Sequence, residues 1–268
     1  MYKPTKMIYK RTLYVLCFGI SFGISAQNEA SIPELITDRP DATESPNTVP
    51  KGYFQVETGA FYESFKENSL QTETFVYNTT LLRYGLLENF ELRLGWNFEE
   101  VTFTANGLEQ PNVLSGMSPL LAGMKVEITE EKGWMPEIGL LGHFMFPFTA
   151  ASDYRPETTA VDFRFSFAHT VSENSSIAYN LGAQWGDDSP EAAYVYTLVY
   201  GYSITDKFGV YAEVYGDLPE DSRANHFWDA GFTYLLQPNL QLDATIGRSF
   251  TEGQDILLSA GVSFRIPK

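Results

Sequence analysis

The chain has 268 residues, a formal net charge of −16 and 15% aromatic residues. An acidic excess of this size excludes nucleic acid as a partner, because phosphate contact needs basic patches. It also argues against an acidic disordered chain, which carries few rings; charges and rings must therefore occupy different faces.

The first residues are a targeting segment. Lys3, Lys6, Lys10 and Arg11 precede an apolar run of about 12 residues at 13–24, too short to cross a bilayer as a helix. Residues 1–26 read as a signal peptide, with Ala26 as the small residue at the cut. Removing their four cations takes the net charge from −16 to −20. The single cysteine, Cys17, falls inside this segment, behind Val15 and Leu16, which are too large for lipoprotein cleavage. The mature chain then has neither a disulfide nor a thiolate metal site.

Residues 27–51 form a periplasmic lead. Its polar start gives way to Thr37-Asp38-Arg39-Pro40-Asp41 and Glu44-Ser45-Pro46, and it ends at Val49-Pro50-Lys51-Gly52. Prolines at this density predict an irregular segment. Asp38, Arg39 and Asp41 are candidates for a gate or plug, with Arg39 pairing to carboxylates in a barrel mouth. The plainer alternative is a capping turn in which Asp38 and Asp41 bond nearby backbone.

From Gly52 onward the period is two. Ile256, Leu258, Ala260, Val262 and Phe264 alternate with Leu257, Ser259, Gly261, Ser263 and Arg265, and so occupy opposite faces of a strand. Twelve such segments follow one another: 52–64, 71–84, 90–103, 118–129, 134–148, 160–171, 176–186, 192–204, 207–217, 225–236, 239–249 and 255–266. Most are longer than the roughly 5–6 residues of a globular strand and match the roughly 9–11 of a tilted transmembrane strand. No later run is apolar enough for a membrane helix, so any span must be β. The expected connections alternate. They are short at 86–89, 130–133, 172–175, 205–206 and 237–238. They are longer or more polar at 66–70, 104–117, 149–159, 187–191, 218–224 and 250–254. The prediction is an all-β fold: a transmembrane, antiparallel, up-and-down β-barrel of about 12 strands over 52–268. It places the chain in the outer membrane of a Gram-negative cell, with both termini on the periplasmic side. Soluble sandwiches and lipocalin-like barrels also alternate; the signal, strand length and loop asymmetry decide for the membrane.

Thr37-Asp38-Arg39-Pro40-Asp41 with Glu44-Ser45-Pro46, then Gly52-Tyr53-Phe54-Gln55-Val56-Glu57, resembles the outer-membrane family labelled "putative MetA-pathway of phenol degradation". Leu82-Arg83-Tyr84-Gly85-Leu86 with Glu91-Leu92-Arg93 resembles it too. The resemblance implies a small transporter-like barrel; the phenol label is not carried over as chemistry. Many outer-membrane barrels end on an aromatic residue. This chain ends Phe264-Arg265-Ile266-Pro267-Lys268, which leaves Phe264 for that role.

With apolar faces toward lipid, the lumen receives Glu57, Glu91, Arg93, Lys125, Glu127, Asp162, Arg164, Glu213, Asp243 and Arg265, together with Glu99, Glu137 and Asp229. These predict either an ion-pair network that keeps the wall polar or a charged lining that favours cations and neutral polar solutes. Inward-register glycines such as Gly59, Gly139 and Gly261 leave room for a partly open lumen. Trp96, Trp134, Trp185 and Trp228 read as girdle residues beside Tyr194, Tyr196, Tyr200 and Tyr202. No catalytic set is visible. His143, His169 and His226 lack a His-x-Ser neighbour, and there is no nucleophile elbow, zinc helix or P-loop. No cofactor and no metal is expected; Glu99-Glu100 and Asp187-Asp188 read as rim charge, with a weak calcium site as the lesser reading. The expected partners are the lipid bilayer, the barrel-assembly machinery and small solutes. The expected function is passive passage of small polar or aromatic solutes. The alternatives are a structural or surface-binding barrel without an open pore, and an outer-membrane hydrolase.

Overall fold

A computed structural model describes residues 33–186, 190–250 and 253–266. The expected signal peptide, the first residues of the lead and Asp187-Asp188 lie outside these.

Twelve strands form the wall: β1 (Phe54–Glu67), β2 (Leu70–Leu87), β3 (Phe90–Ala105), β6 (Leu120–Thr129), β7 (Glu137–Phe146), β8 (Ala160–Ser172), β9 (Ser175–Trp185), β10 (Ala192–Thr205), β11 (Phe208–Pro219), β12 (Asn225–Gln237), β13 (Leu240–Ser249) and β14 (Gly253–Ile266). Each pairs antiparallel with its neighbours, and β1 pairs with both β2 and β14, which closes the ring. Two short strands, β4 (Leu108–Glu109) and β5 (Leu114–Met117), pair with β3 inside the connection expected to be a loop. The connection at 147–159 packs on β5: Ala151 N–H donates to the Met117 carbonyl and the Tyr154 hydroxyl to that of Leu114.

Burial is inverted relative to a soluble protein. Among the described residues, 23 buried side chains are polar or charged and only 9 are hydrophobic, so the interior cannot be an oily core. Along β13, Gln241, Asp243 and Thr245 are buried while Leu242 and Ile246 are exposed. The exposed set includes Leu92, Leu94, Phe163, Phe165, Leu198 and Leu258. Such a surface is stable only against hydrocarbon, and a closed sheet leaves no unpaired edge there.

One rim carries the connections 88–89, 130–136, 173–174, 206–207 and 238–239 and both ends of the wall; we call it the turn rim. The other, the loop rim, carries 68–69, 106–119, 147–159, 186–191, 220–224 and 250–252. Two expectations fail locally. The loop expected at 66–70 is a tight turn, made possible by Asn68 at φ 53°, a left-handed conformation that asparagine tolerates. The short turn expected at 130–133 extends to residue 136, because Pro136 has no N–H for a ladder and Gly133 sits at φ 64°. Trp134, expected in a wall girdle, therefore stands on this connection, 87% exposed.

Candidate functional site

Residues 33–50 hold no helix and no strand. Their backbone N–H and C=O groups still need partners, and the wall's inward side chains supply them. Glu57 of β1 accepts from Asp38 N–H (3.0 Å), Glu91 of β3 from Val49 N–H (2.7 Å) and Glu213 of β11 from Ala42 N–H (2.7 Å). Asn180 of β9 accepts from Glu44 N–H (2.7 Å) and donates back to its carbonyl (2.9 Å). Arg265 of β14 donates to the carbonyls of Pro33 and Glu34 (3.1 and 2.9 Å), and Gln55 of β1 to that of Ile36 (2.8 Å). A segment reached from strands all around a closed ring must lie inside that ring. The lead is a septum across the lumen.

On the β2, β3 and β6 side the septum is held by charge. Arg83, 1% exposed, donates to Glu57 (2.8 Å) and to both oxygens of Glu91 (2.9 Å each), and lies 3.0 Å from Asp38. Lys125, fully buried, donates to both oxygens of Asp38 (2.9 and 2.8 Å). Arg93 grips Glu44 through two bonds (2.8 and 3.1 Å) and stands 3.2 Å from Asp38. Asp38 thus meets three cations at once. It also accepts from Ser45 N–H and Oγ (2.9 Å each), which folds the lead back on itself. The capping turn and the plug contacts are therefore both present in one carboxylate.

Arg39 points the other way, into the wall at β13 and β14. Its guanidinium donates to both oxygens of Asp243 (2.8 and 3.3 Å) and to Ser259 (3.1 Å). Gly59 and Gly261 face each other across β1 and β14, and a Cβ on either would lie under 3 Å from the guanidinium. The slot exists because these residues have no side chain. At Gly139 the same space is taken by Pro46. The inward glycines read from sequence as room for an open lumen are, at these three positions, filled by the septum.

The β11 and β12 side differs. Glu213 and Asp229 are register neighbours, both buried, and Asp41 stands with Asp229 at one cavity wall. Among the described residues no cation lies within ion-pair distance of Asp41, Glu213 or Asp229. The Thr43 hydroxyl bonds Glu213, and Asp229 Oδ1 is buried without a hydrogen-bond partner.

The remaining inward charges lie around these two clusters. Arg164 of β8 reaches the Ala42 carbonyl at 3.4 Å, and Glu137 of β7 accepts from the Asn47 side chain (3.1 Å). Glu127 is half-buried. Asp162 pairs with His143 Nδ1 at 2.8 Å across β7 and β8, and His143 Nε2 is buried with no partner among the described residues. No hydroxyl is placed to serve as a nucleophile for that imidazole, and the described residues contain no cluster arranged for a metal. The lumen divides into a turn-side cavity of 440 Å³ and two loop-side cavities of 400 and 430 Å³. All three include septum residues in their walls.

A family model described as "Putative MetA-pathway of phenol degradation" matches residues 37–266. The chain belongs to this family. The match begins at the first residue of the Thr37-Asp38-Arg39-Pro40-Asp41 motif, so the family's sequence pattern takes in the septum as well as the wall. No curated protein matches significantly. Among solved structures, the chain is similar to an outer membrane channel from Pseudomonas putida F1, with a TM-score of 0.66 and 14% identity over 82% of this chain and 98% of that one. It is similar to the KdgM porin, TM-score 0.51 and 10% identity over 78% and 98%. It also resembles the translocator domain of the autotransporter NalP from Neisseria meningitidis, TM-score 0.52 and 11% identity over 82% and 91%. At these identities the likeness establishes the fold, that of an outer-membrane β-barrel.

Arg83, Gln55 and Asn180 are the septum-holding positions that the sequence does not single out. Arg83 stood inside the quoted family motif but was assigned no side of the wall. Its strand breaks register between Val76 and Asn78, so the alternation of 71–84 has no single phase.

Proposed function

We propose that this chain is a passive outer-membrane channel whose N-terminal lead plugs its own lumen. The observation that supports this is the septum itself: residues 33–50 bridge to eleven wall strands, with cavities of 400–440 Å³ on both sides. A purely structural barrel has no use for cavities that meet at a thin, irregular segment. The likeness to an outer membrane channel and a porin supports the same reading. In it, residues 1–26 are the export signal and the turn rim faces the periplasm. The loop rim faces outward, and the barrel-assembly machinery inserts the chain into the bilayer. The solutes are small and polar or aromatic. An enzyme is disfavoured because His143, the buried imidazole with a carboxylate partner, has no nucleophile among the described residues against its Nε2.

The buried ion pairs favour a second reading, a closed barrel that binds ligands at its surface. Conductance of the mature protein in planar bilayers separates the two. The wild type is expected to show small, infrequent openings. Arg39→Ala, which empties the slot at Gly59 and Gly261, is expected to raise mean conductance several-fold. Should neither protein conduct above the bare membrane, the channel reading fails and the closed barrel stands.

A further inference from the structure

The inward face is polar almost everywhere, as the alternation requires. Leu141, Val195 and Val199 interrupt it singly, and rings gather in the loop-side half over β1, β11 and β12. Phe61 and Phe65 continue the inward register of Glu57 and Gly59; Tyr215 continues that of Glu213, and Phe227 that of Asp229. The Tyr215 and Phe227 rings stack at 5.2 Å, and Phe65 meets Phe227 edge-on at 6.5 Å. These rings bound the 430 Å³ cavity, whose polar walls include Asp41, Glu63 and Asp229. The only cation there among the described residues, Arg39, is already engaged by Asp243.

We propose that this cavity is a binding site for a small organic cation, an amine carrying an aromatic or compact apolar body. This reading deepens the channel proposal by naming a solute class, and rests on it for the solute's passage but not for its binding. Three features point the same way. The volume falls within the range of about 300–1,000 Å³ typical of small-molecule sites. Ring faces attract ammonium groups through their quadrupole, most strongly when water is excluded. Asp229 lines the cavity beside Glu213, its side-chain partner, and among the described residues neither carboxyl has a cation within ion-pair distance and Asp229 Oδ1 has no donor, an arrangement that is costly unless a charged donor arrives. An ammonium nitrogen supplies that donor and neutralises the excess of acid beside Glu213. A bare metal ion fits poorly, because apolar rings occupy the positions that oxygen ligands would need. A neutral aromatic satisfies the rings and leaves the carboxylate unmet. A carboxylate ligand is repelled.

The test is equilibrium binding by calorimetry to the full mature barrel in a zwitterionic detergent, with benzylammonium, benzyl alcohol and benzoate as probes. Benzylammonium is expected to bind about tenfold more tightly than benzyl alcohol, with no binding of benzoate. Asp229→Asn is expected to reduce benzylammonium to the affinity of benzyl alcohol, and Phe227→Ala to weaken both. Asp229→Asn removes a like charge and adds a donor, so the variant folds, and its thermal midpoint, measured alongside, shows that lost binding is not lost structure. Equal affinity for benzylammonium and benzyl alcohol in the wild type overturns the proposal. So does undiminished benzylammonium binding in Asp229→Asn. A barrel that binds benzylammonium but never conducts refutes the channel while leaving the site in place. One that conducts but does not bind refutes the site alone.

Discussion

The two sides of the septum solve the same problem in opposite ways. Over β2, β3 and β6, Asp38, Glu44, Glu57 and Glu91 meet Arg83, Arg93 and Lys125, and the charges close on one another. Over β11 and β12, Asp41, Glu213 and Asp229 stand together with no cation within ion-pair distance among the described residues. Ion pairs taken from water are stable only when their geometry is nearly complete; on the first side every charge meets an opposite one, and Arg93 Nε is left as a buried donor without a partner among the described residues. The second is left in tension by like charge. The septum therefore has one edge tied by opposite charges and one edge of like charge, and the aromatic cavity opens on the second.

Removing one member of the anchored side has the largest expected effect. Arg83→Met leaves Glu57 and Glu91 buried without their main donor and takes one of three cations from Asp38. Breaking a buried pair costs about 3–5 kcal/mol, which lowers the thermal midpoint of the barrel in detergent by roughly 10 °C. A midpoint equal to that of the wild type means that the network does not hold the septum.

The like-charged side predicts a smaller change of opposite sign. Asp229→Asn relieves repulsion with Glu213 and gives the orphan position a donor, so it stabilises by about 1 kcal/mol. Glu213→Gln is a poorer probe, because both Glu213 oxygens already accept bonds from the lead, at Ala42 and Thr43. Destabilisation by Asp229→Asn on the scale of Arg83→Met erases the contrast between the two sides.

The wall was legible from residues; the septum was legible only in part. A period of two fixes a face, so each of the twelve segments lies within three residues of its wall strand, and Glu57, Glu91, Lys125 and Asp243 point inward as the alternation places them. Connections were harder, because Asn68 and Pro136 act through backbone geometry that side-chain pattern does not carry. Arg39 was readable as a cation among prolines seeking a lumen carboxylate. Its partner was not, because Asp243 lies 204 positions away and only closure of the ring between β1 and β14 brings the two together. The aromatic cavity was hidden for a related reason. Tyr215 falls on the face of Glu213 in the alternation, but Phe61 and Phe227 are apolar, and a rule that sends apolar residues to lipid assigns them outward. Register with Glu57 and Asp229 is what turns these two inward.

The smallest effect tests whether charge alone or charge with burial gives the anchored side its strength. Lys51 and Glu88 form a pair at the turn rim, 3.6 Å apart, with side chains 54% and 82% exposed. The partners are again a basic side chain and a glutamate, beside the same septum, one residue beyond Pro50. Water screens them, and holding two long side chains in one geometry costs nearly what the attraction gains. Lys51→Ala and Glu88→Ala are therefore each expected to shift stability by no more than about 0.5 kcal/mol, and a double-mutant cycle to show coupling at or below that size. Raising the salt concentration should abolish this coupling while leaving the Arg83 penalty nearly intact, since screening acts on exposed charges and hardly reaches buried ones. Coupling at Lys51 and Glu88 comparable to the loss at Arg83 would show that proximity of opposite charges, and not their removal from water, fixes the lead in place.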